Sequence, residues 1–143
     1  MSRLGLLHLS FAVLTLSCAR APGGEGAPDA APEAPPSSAR ALRDHVVAQP
    51  SFARLARARA LRPNGGVFEV TTTSVRADLP AHAAAATRLA AGDVWLELTP
   101  QLLAPRPAEP VDEALVYRDA APATDVLVAA LEEGLEEVRV LRE

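Results

Sequence analysis

Residues 67–143 predict an α+β fold, a small four-stranded sheet with two packed helices in the ferredoxin-like order βαββαβ, preceded by a basic helical segment. Two observations predict it. Residues 67–99 read as strand, helix, strand, and residues 113–142 read the same way again. Both predicted helices run into a glycine, Gly92 or Gly134, just before a short strand. The chain has a single cysteine, so no disulfide can form within it and packing must hold the domain. The predicted organisation is residues 1–17, 18–39, 40–62 and 67–143.

Residues 1–17 have the order of an export signal. Arg3 and the α-amino group make a basic start, and Leu4 to Leu16 is an apolar run broken only by Gly5, His8, Ser10 and Thr15. That run is shorter than the roughly 20 residues a bilayer-spanning helix needs, which argues against a transmembrane anchor. Small residues follow, then Cys18. Leu16-Ser17-Cys18 resembles the end of a bacterial lipobox, over residues 1–18 only. The third residue before the cysteine, Leu in most of that class, is Thr15 here, with Leu14 one step further back. The resemblance implies a lipidated Cys18, a diacylglyceryl thioether with palmitate-type chains, and cleavage just before it. One acyl chain holds a membrane only marginally, whereas two or three, at about 0.8 kcal/mol per buried methylene, hold firmly. Ser17-Cys18-Ala19 also fits ordinary signal cleavage, which would release a soluble protein, and an uncleaved anchor is a third alternative.

Residues 18–39 follow as a spacer. Eight of them are Pro or Gly, so the segment cannot bury an apolar face and is expected to be disordered. Extended at about 3.1 Å per residue, it would reach roughly 65 Å. A lipobox followed by such a linker is the layout of an envelope lipoprotein. Ala19 stands where a lipoprotein kept at the inner membrane tends to carry Asp, so the resemblance leans towards the outer membrane, facing the periplasm.

Residues 38–62 carry six Arg against Asp44 alone, whereas residues 93–143 carry twelve acids against four Arg. Ser38 is placed to cap a helix over Ala39–Ala48, Pro50 interrupts, and Ser51–Arg62 resumes with Phe52, Leu55 and Ala58 on one face. Arg54, Arg57, Arg59 and Arg62 fill the rest of the surface. They could meet an anionic partner, such as phospholipid head groups or an acidic envelope polymer. They could equally dock on the acidic half of the same chain. Pro63-Asn64-Gly65-Gly66 closes the segment.

In the domain, the β-branched run Val67–Arg76 predicts a strand. Asp78-Leu79-Pro80 opens a predicted helix through the helix-forming stretch Ala81–Ala91. Asp93–Thr99 alternates, with Val94, Leu96 and Leu98 predicted inward and Trp95 covered by the basic helix. Four prolines make Pro100–Pro110 a surface connection. Glu113–Arg118 predicts a short strand. Thr124 is placed to cap a helix whose apolar stripe is Leu127, Val128 and Leu131, and Glu136–Arg142 alternates again.

Val116-Tyr117-Arg118-Asp119, Pro122 and Gly134–Leu141 resemble the C-terminal unit of the ExbD/TolR family, periplasmic partners of proton-driven motors. No acidic residue lies between Leu4 and Leu16, the place of that family's membrane-embedded acid. The resemblance therefore implies a partner domain without proton coupling.

The residues show no catalytic constellation. Asp44 and His45 are adjacent and do not face each other on a helix. The hydroxyls of Thr71–Ser74 have no partner base, and His82 and His45 are too few for zinc. Three of Asp119, Tyr117, His82 and Glu97 would need to converge on one pocket for catalysis. No cofactor or metal is expected. The net charge of −4 excludes a general nucleic-acid footprint. The sequence thus predicts a membrane-tethered, non-catalytic binding or structural module that meets the bilayer through its anchor. A secreted enzyme or enzyme subunit is the alternative.

Overall fold

A computed structural model of the full chain describes residues 10–15, 37–73 and 75–142, and of Ser10–Thr15 the backbone alone. Cys18, most of the spacer and the rest of the signal segment lie outside the described residues, as does Ser74.

Two five-stranded sheets and a helical layer stack on one another. The helical layer is α1 (Ala39–Ala48) and a 3-10 helix (Pro50–Arg57). The central sheet contains β1 (Ser10–Thr15), β7 (Glu109–Val111), β8 (Ala114–Ala121), β9 (Thr124–Leu131) and β10 (Gly134–Leu141), in the order β1-β10-β9-β8-β7. The outer sheet runs in chain order through β2 (Arg62–Asn64), β3 (Val67–Thr71), β4 (Arg76–Pro80), β5 (Thr87–Ala91) and β6 (Val94–Leu98). All pairings are antiparallel except β1 with β10, which is parallel from Ser10↔Glu136 to Thr15↔Leu141.

This overturns the predicted four-stranded sheet with two packed helices, because both domain helices are strands. The central sheet is covered on both faces. Val116, Leu127, Ala129, Val138 and Val140 pack on Leu42, Val46, Phe52 and Leu55 of the helical layer. Leu115, Tyr117, Val126, Ala130 and Leu135 pack on Val70, Ala77, Leu79 and Leu89 of the outer sheet. A strand buried on two sides needs apolar residues at consecutive positions, so β9 reads as an apolar run and loses the alternation that marks a half-exposed strand. Residues 81–91 fail as a helix for another reason. An alanine helix would bury little area, whereas pairing Thr87–Ala91 with β4 and β6 puts Leu89 in the core. Residues 81–83 instead form backbone bonds with the β6–β7 connection, Ala83 N–H to Arg106 O and Ala108 N–H to Ala81 O.

β8, β9 and β10 are each eight residues long and are joined by the two-residue turns Pro122-Ala123 and Glu132-Glu133. Ala123 has φ +51, the left-handed geometry that tight hairpins require and that a side chain disfavours. Glycine meets the same requirement more easily at Gly65-Gly66, between β2 and β3.

The basic segment is helical, as expected, but its second half is a 3-10 turn ending at Arg57, not an α-helix to Arg62. Ser38 caps α1 through Oγ, which accepts the Ala41 N–H at 3.1 Å. β6 forms as expected, yet it is an edge strand whose Val94, Trp95 and Leu96 are exposed. The basic helix does not cover Trp95. The indole is 62% exposed, and the Arg88 guanidinium sits 5.1 Å from its ring. Fluorescence of this single tryptophan is therefore expected to be quenched by acrylamide almost as well in the folded as in the unfolded protein. Strong protection in the folded state would contradict the exposed edge.

Candidate functional site

Between the central and outer sheets, at the β6–β7 end, lies a groove of about 350 Å³. Its apolar floor includes Pro80, Leu98, Leu103, Val128 and Leu135. Glu97, Glu137 and Arg139 stand at its polar side, with Arg139 Nε donating to Glu137 Oε1 at 2.8 Å. The Pro-rich connection after β6 contributes Thr99, Pro100, Gln101 and Leu103 to the groove lining. Leu103 on that connection is half-buried against the same cluster as Leu79 and Leu135.

Tyr117 fixes one wall. Its hydroxyl donates to Pro80 O at 2.8 Å, a buried bond from the central sheet to the outer one. Burial, and secondarily the Glu137 carboxylate, push the phenol well above its ordinary value, so it stays protonated as a donor.

Of the residues considered for catalysis, Glu97 and Tyr117 line this groove. Asp119 sits in a bulge of β8, bonded to Arg142, and His82 is exposed in a bridge with Pro107. No three of the four therefore line the same pocket. Thr72, in the hydroxyl run, accepts the Val75 N–H at 3.0 Å and helps close the β3–β4 turn. Among the described residues no group of three His, Cys, Asp or Glu could hold a metal ion, and no helix is long and apolar enough to cross a membrane.

The four arginines proposed to meet an anionic partner divide into two pairs. Arg54 docks on the acidic half of the chain, its Nε 2.8 Å from Glu136 Oε2 and its Nη2 2.6 Å from Oε1. Arg59 pairs with Glu132, whose other carboxylate oxygen accepts the Thr73 N–H at 3.0 Å. Arg40 and Arg43 share Asp112 in the same way. Arg57 and Arg62 are exposed, with no ion pair to a described residue. The alternative of docking within the chain is thus what Arg54 and Arg59 do.

Sequence reasoning missed the groove. Its walls come from residues scattered between Pro80 and Arg139, and only the two-sheet packing brings them together.

No protein-family model, curated protein or solved structure matches this chain. The strand–helix–strand unit behind the resemblance to the ExbD/TolR family is not formed either, since Thr124–Leu131 is β9.

Proposed function

We propose that the protein is a lipid-anchored component of the bacterial cell envelope, held at the outer membrane and facing the periplasm. Its β domain acts as a non-catalytic binding module that takes a small apolar molecule between its sheets. The observation that carries the binding reading is the groove. Its floor is apolar, it carries a few polar groups on one side, and its volume lies in the range of about 300–1,000 Å³ usual for small-molecule sites. The tether rests on the sequence, on the apolar leader, Cys18 and the Pro/Gly spacer. Every described member of the domain's two hydrophobic clusters lies between Ala39 and Val140.

Native mass spectrometry of the protein extracted from its host's membranes tests both halves. The expected species begins at Cys18, carries diacylglyceryl and further acyl mass, and holds a non-covalent small molecule that is released on unfolding. A chain that begins at Arg20 or carries a bare Cys18 thiol defeats the tether. A chain that is never found loaded, and gains no apolar probe when soaked, defeats the groove reading. Cys18→Ala is expected to move the protein out of the membrane fraction.

A further inference from the structure

In the full chain the outer edge of β10 is occupied. Residues 10–15 lie along it as a parallel strand, register Ser10↔Glu136 to Thr15↔Leu141. Those residues belong to the leader, so cleavage before Cys18 removes them and leaves β10 as the edge of a four-stranded sheet. An eight-residue edge with unpaired backbone donors and acceptors is a template for another strand unless something blunts it.

The residues of β10 specify the occupant. The run is Leu135-Glu136-Glu137-Val138-Arg139-Val140-Leu141. Two copies aligned antiparallel, with a two-fold axis through Val138, place Glu137 opposite Arg139 twice and Leu135 opposite Leu141 twice. Both pairs lie on the face turned to the groove, because residues of the same parity share a face. On the helical face, Val138 meets its own counterpart. Moving the axis one residue either way sets Glu137 against Glu137 or Arg139 against Arg139, and like charges directly opposite are unfavourable. One register is therefore favoured, and it is the self-complementary one that a two-fold dimer requires.

We propose that mature protein self-associates through β10, edge to edge and antiparallel, into a dimer with a continuous eight-stranded central sheet, and that the leader strand β1 blocks this edge in the precursor. The inference rests on the reading that the leader is removed. Within one chain Glu137 and Arg139 already pair, at 2.8 Å, and the dimer lets each also face the opposite charge of the second copy. Both residues line the groove, so the two grooves come together at the two-fold axis.

The test is the mass of the membrane-extracted protein in mild detergent, measured by sedimentation over a range of concentrations, with its N-terminus identified in the same sample. Protein beginning at Cys18 is expected to be dimeric. Glu137→Arg and Arg139→Glu are each expected to weaken association roughly tenfold or more, because each creates two like-charge pairs across the axis. The double variant, which swaps the two charges, is expected to return to within about threefold of the parent. Circular dichroism of each variant separates lost association from lost folding, and the recovery of the double variant is a result that mere misfolding would not give. A variant that retains residues 1–17 is expected to be monomeric. A monomer that begins at Cys18 overturns the dimer and leaves the tether standing. A native protein that keeps its leader overturns both. A dimer indifferent to the charge changes overturns the β10 contact.

Discussion

Arg54→Ala is expected to destabilise the protein by about 2–4 kcal/mol, measured as the free energy of urea unfolding. Glu136 is 1% exposed, although it sits on β10 among Val138 and Val140 on the helical face of the central sheet. What makes a carboxylate tolerable there is the two-pronged bond from Arg54, at 2.6 and 2.8 Å. Removing the guanidinium leaves a charge under the 3-10 helix with no other bonded partner among the described residues. Losing one member of a fully buried pair costs about 3–5 kcal/mol. The Arg54 side chain is half exposed, so water partly replaces it and the expected loss falls about 1 kcal/mol below that range. Arg54→Lys should recover only part of the loss, because an ammonium cannot make the parallel pair of bonds. Glu136→Gln keeps the acceptor and removes the charge, so it should cost less than Arg54→Ala. A change within about 0.5 kcal/mol for Arg54→Ala, as for a solvated surface pair, would contradict this account of the site.

The same geometry sets the limit on what the basic segment can offer a partner. The segment's charge is plain in the sequence, but so is the acidic excess of residues 93–143, and the fold brings the two together. Arg40, Arg43, Arg54 and Arg59 each face a carboxylate of the C-terminal half. Only Arg57 and Arg62, of the four first singled out, present exposed charge with no such pairing among the described residues.

Local signals were legible where one physical effect dominated. Ser38 before an apolar-periodic stretch gave the cap of α1, and Phe52 and Leu55 gave the buried face of the 3-10 turn. β6, β8 and β10 lie where β-branched or alternating residues stand, within a few residues of their predicted bounds, whereas the run Val67–Arg76, predicted as one strand, is split by a turn into β3, ending at Thr71, and the start of β4 at Arg76. The misreadings follow from burial. β9 is apolar at consecutive positions because layers cover both its faces, and that pattern is shared by a buried helix segment. A signal of longer range was present. β8, β9 and β10 begin at residues 114, 124 and 134, and strands repeating every ten residues with tight turns between them point to an all-β arrangement. It was hidden because the turns Pro122-Ala123 and Glu132-Glu133 lack the glycine or asparagine that usually announces a hairpin. Gly92 and Gly134 were read as helix stops. Gly92 does hold a positive φ, but in the hairpin turn between β5 and β6. The groove could not be read at all, since it is a property of how two sheets stack.

Asp125→Ala is expected to cost about 3–4 kcal/mol, and Asp125→Asn roughly half as much. Asp125, the second residue of β9, has no exposed surface and holds the bulge of β8 in place. Its Oδ1 accepts the Asp119 N–H at 2.8 Å. Its Oδ2 lies 3.2 Å from Arg118 Nε and 3.7 Å from Arg142 Nε, distances that give Coulombic attraction without aligned hydrogen bonds. Alanine would orphan a backbone donor at a residue already held at φ +52 and leave two guanidinium groups side by side. Asparagine keeps the acceptor and loses only the charge, which is why it should cost less. Acid acts on the same cluster. The hydrogen bond from Arg142, and then its charge, hold the Asp119 carboxyl below its ordinary 3.8. A carboxyl depressed in this way contributes stability above its unfolded value, and that contribution is lost as pH falls through the folded one. Glu132, lowered from 4.5 first by the Thr73 N–H and then by Arg59, acts in the same direction. Unfolding midpoints measured from pH 6 downward should therefore fall once the pH drops below about 4.5, and Arg142→Ala should flatten the part of that fall due to Asp119. An Arg142→Ala curve as steep as the parent's would show that the cluster does not couple protonation to folding, and that the bulge is held by the Asp125 bond alone.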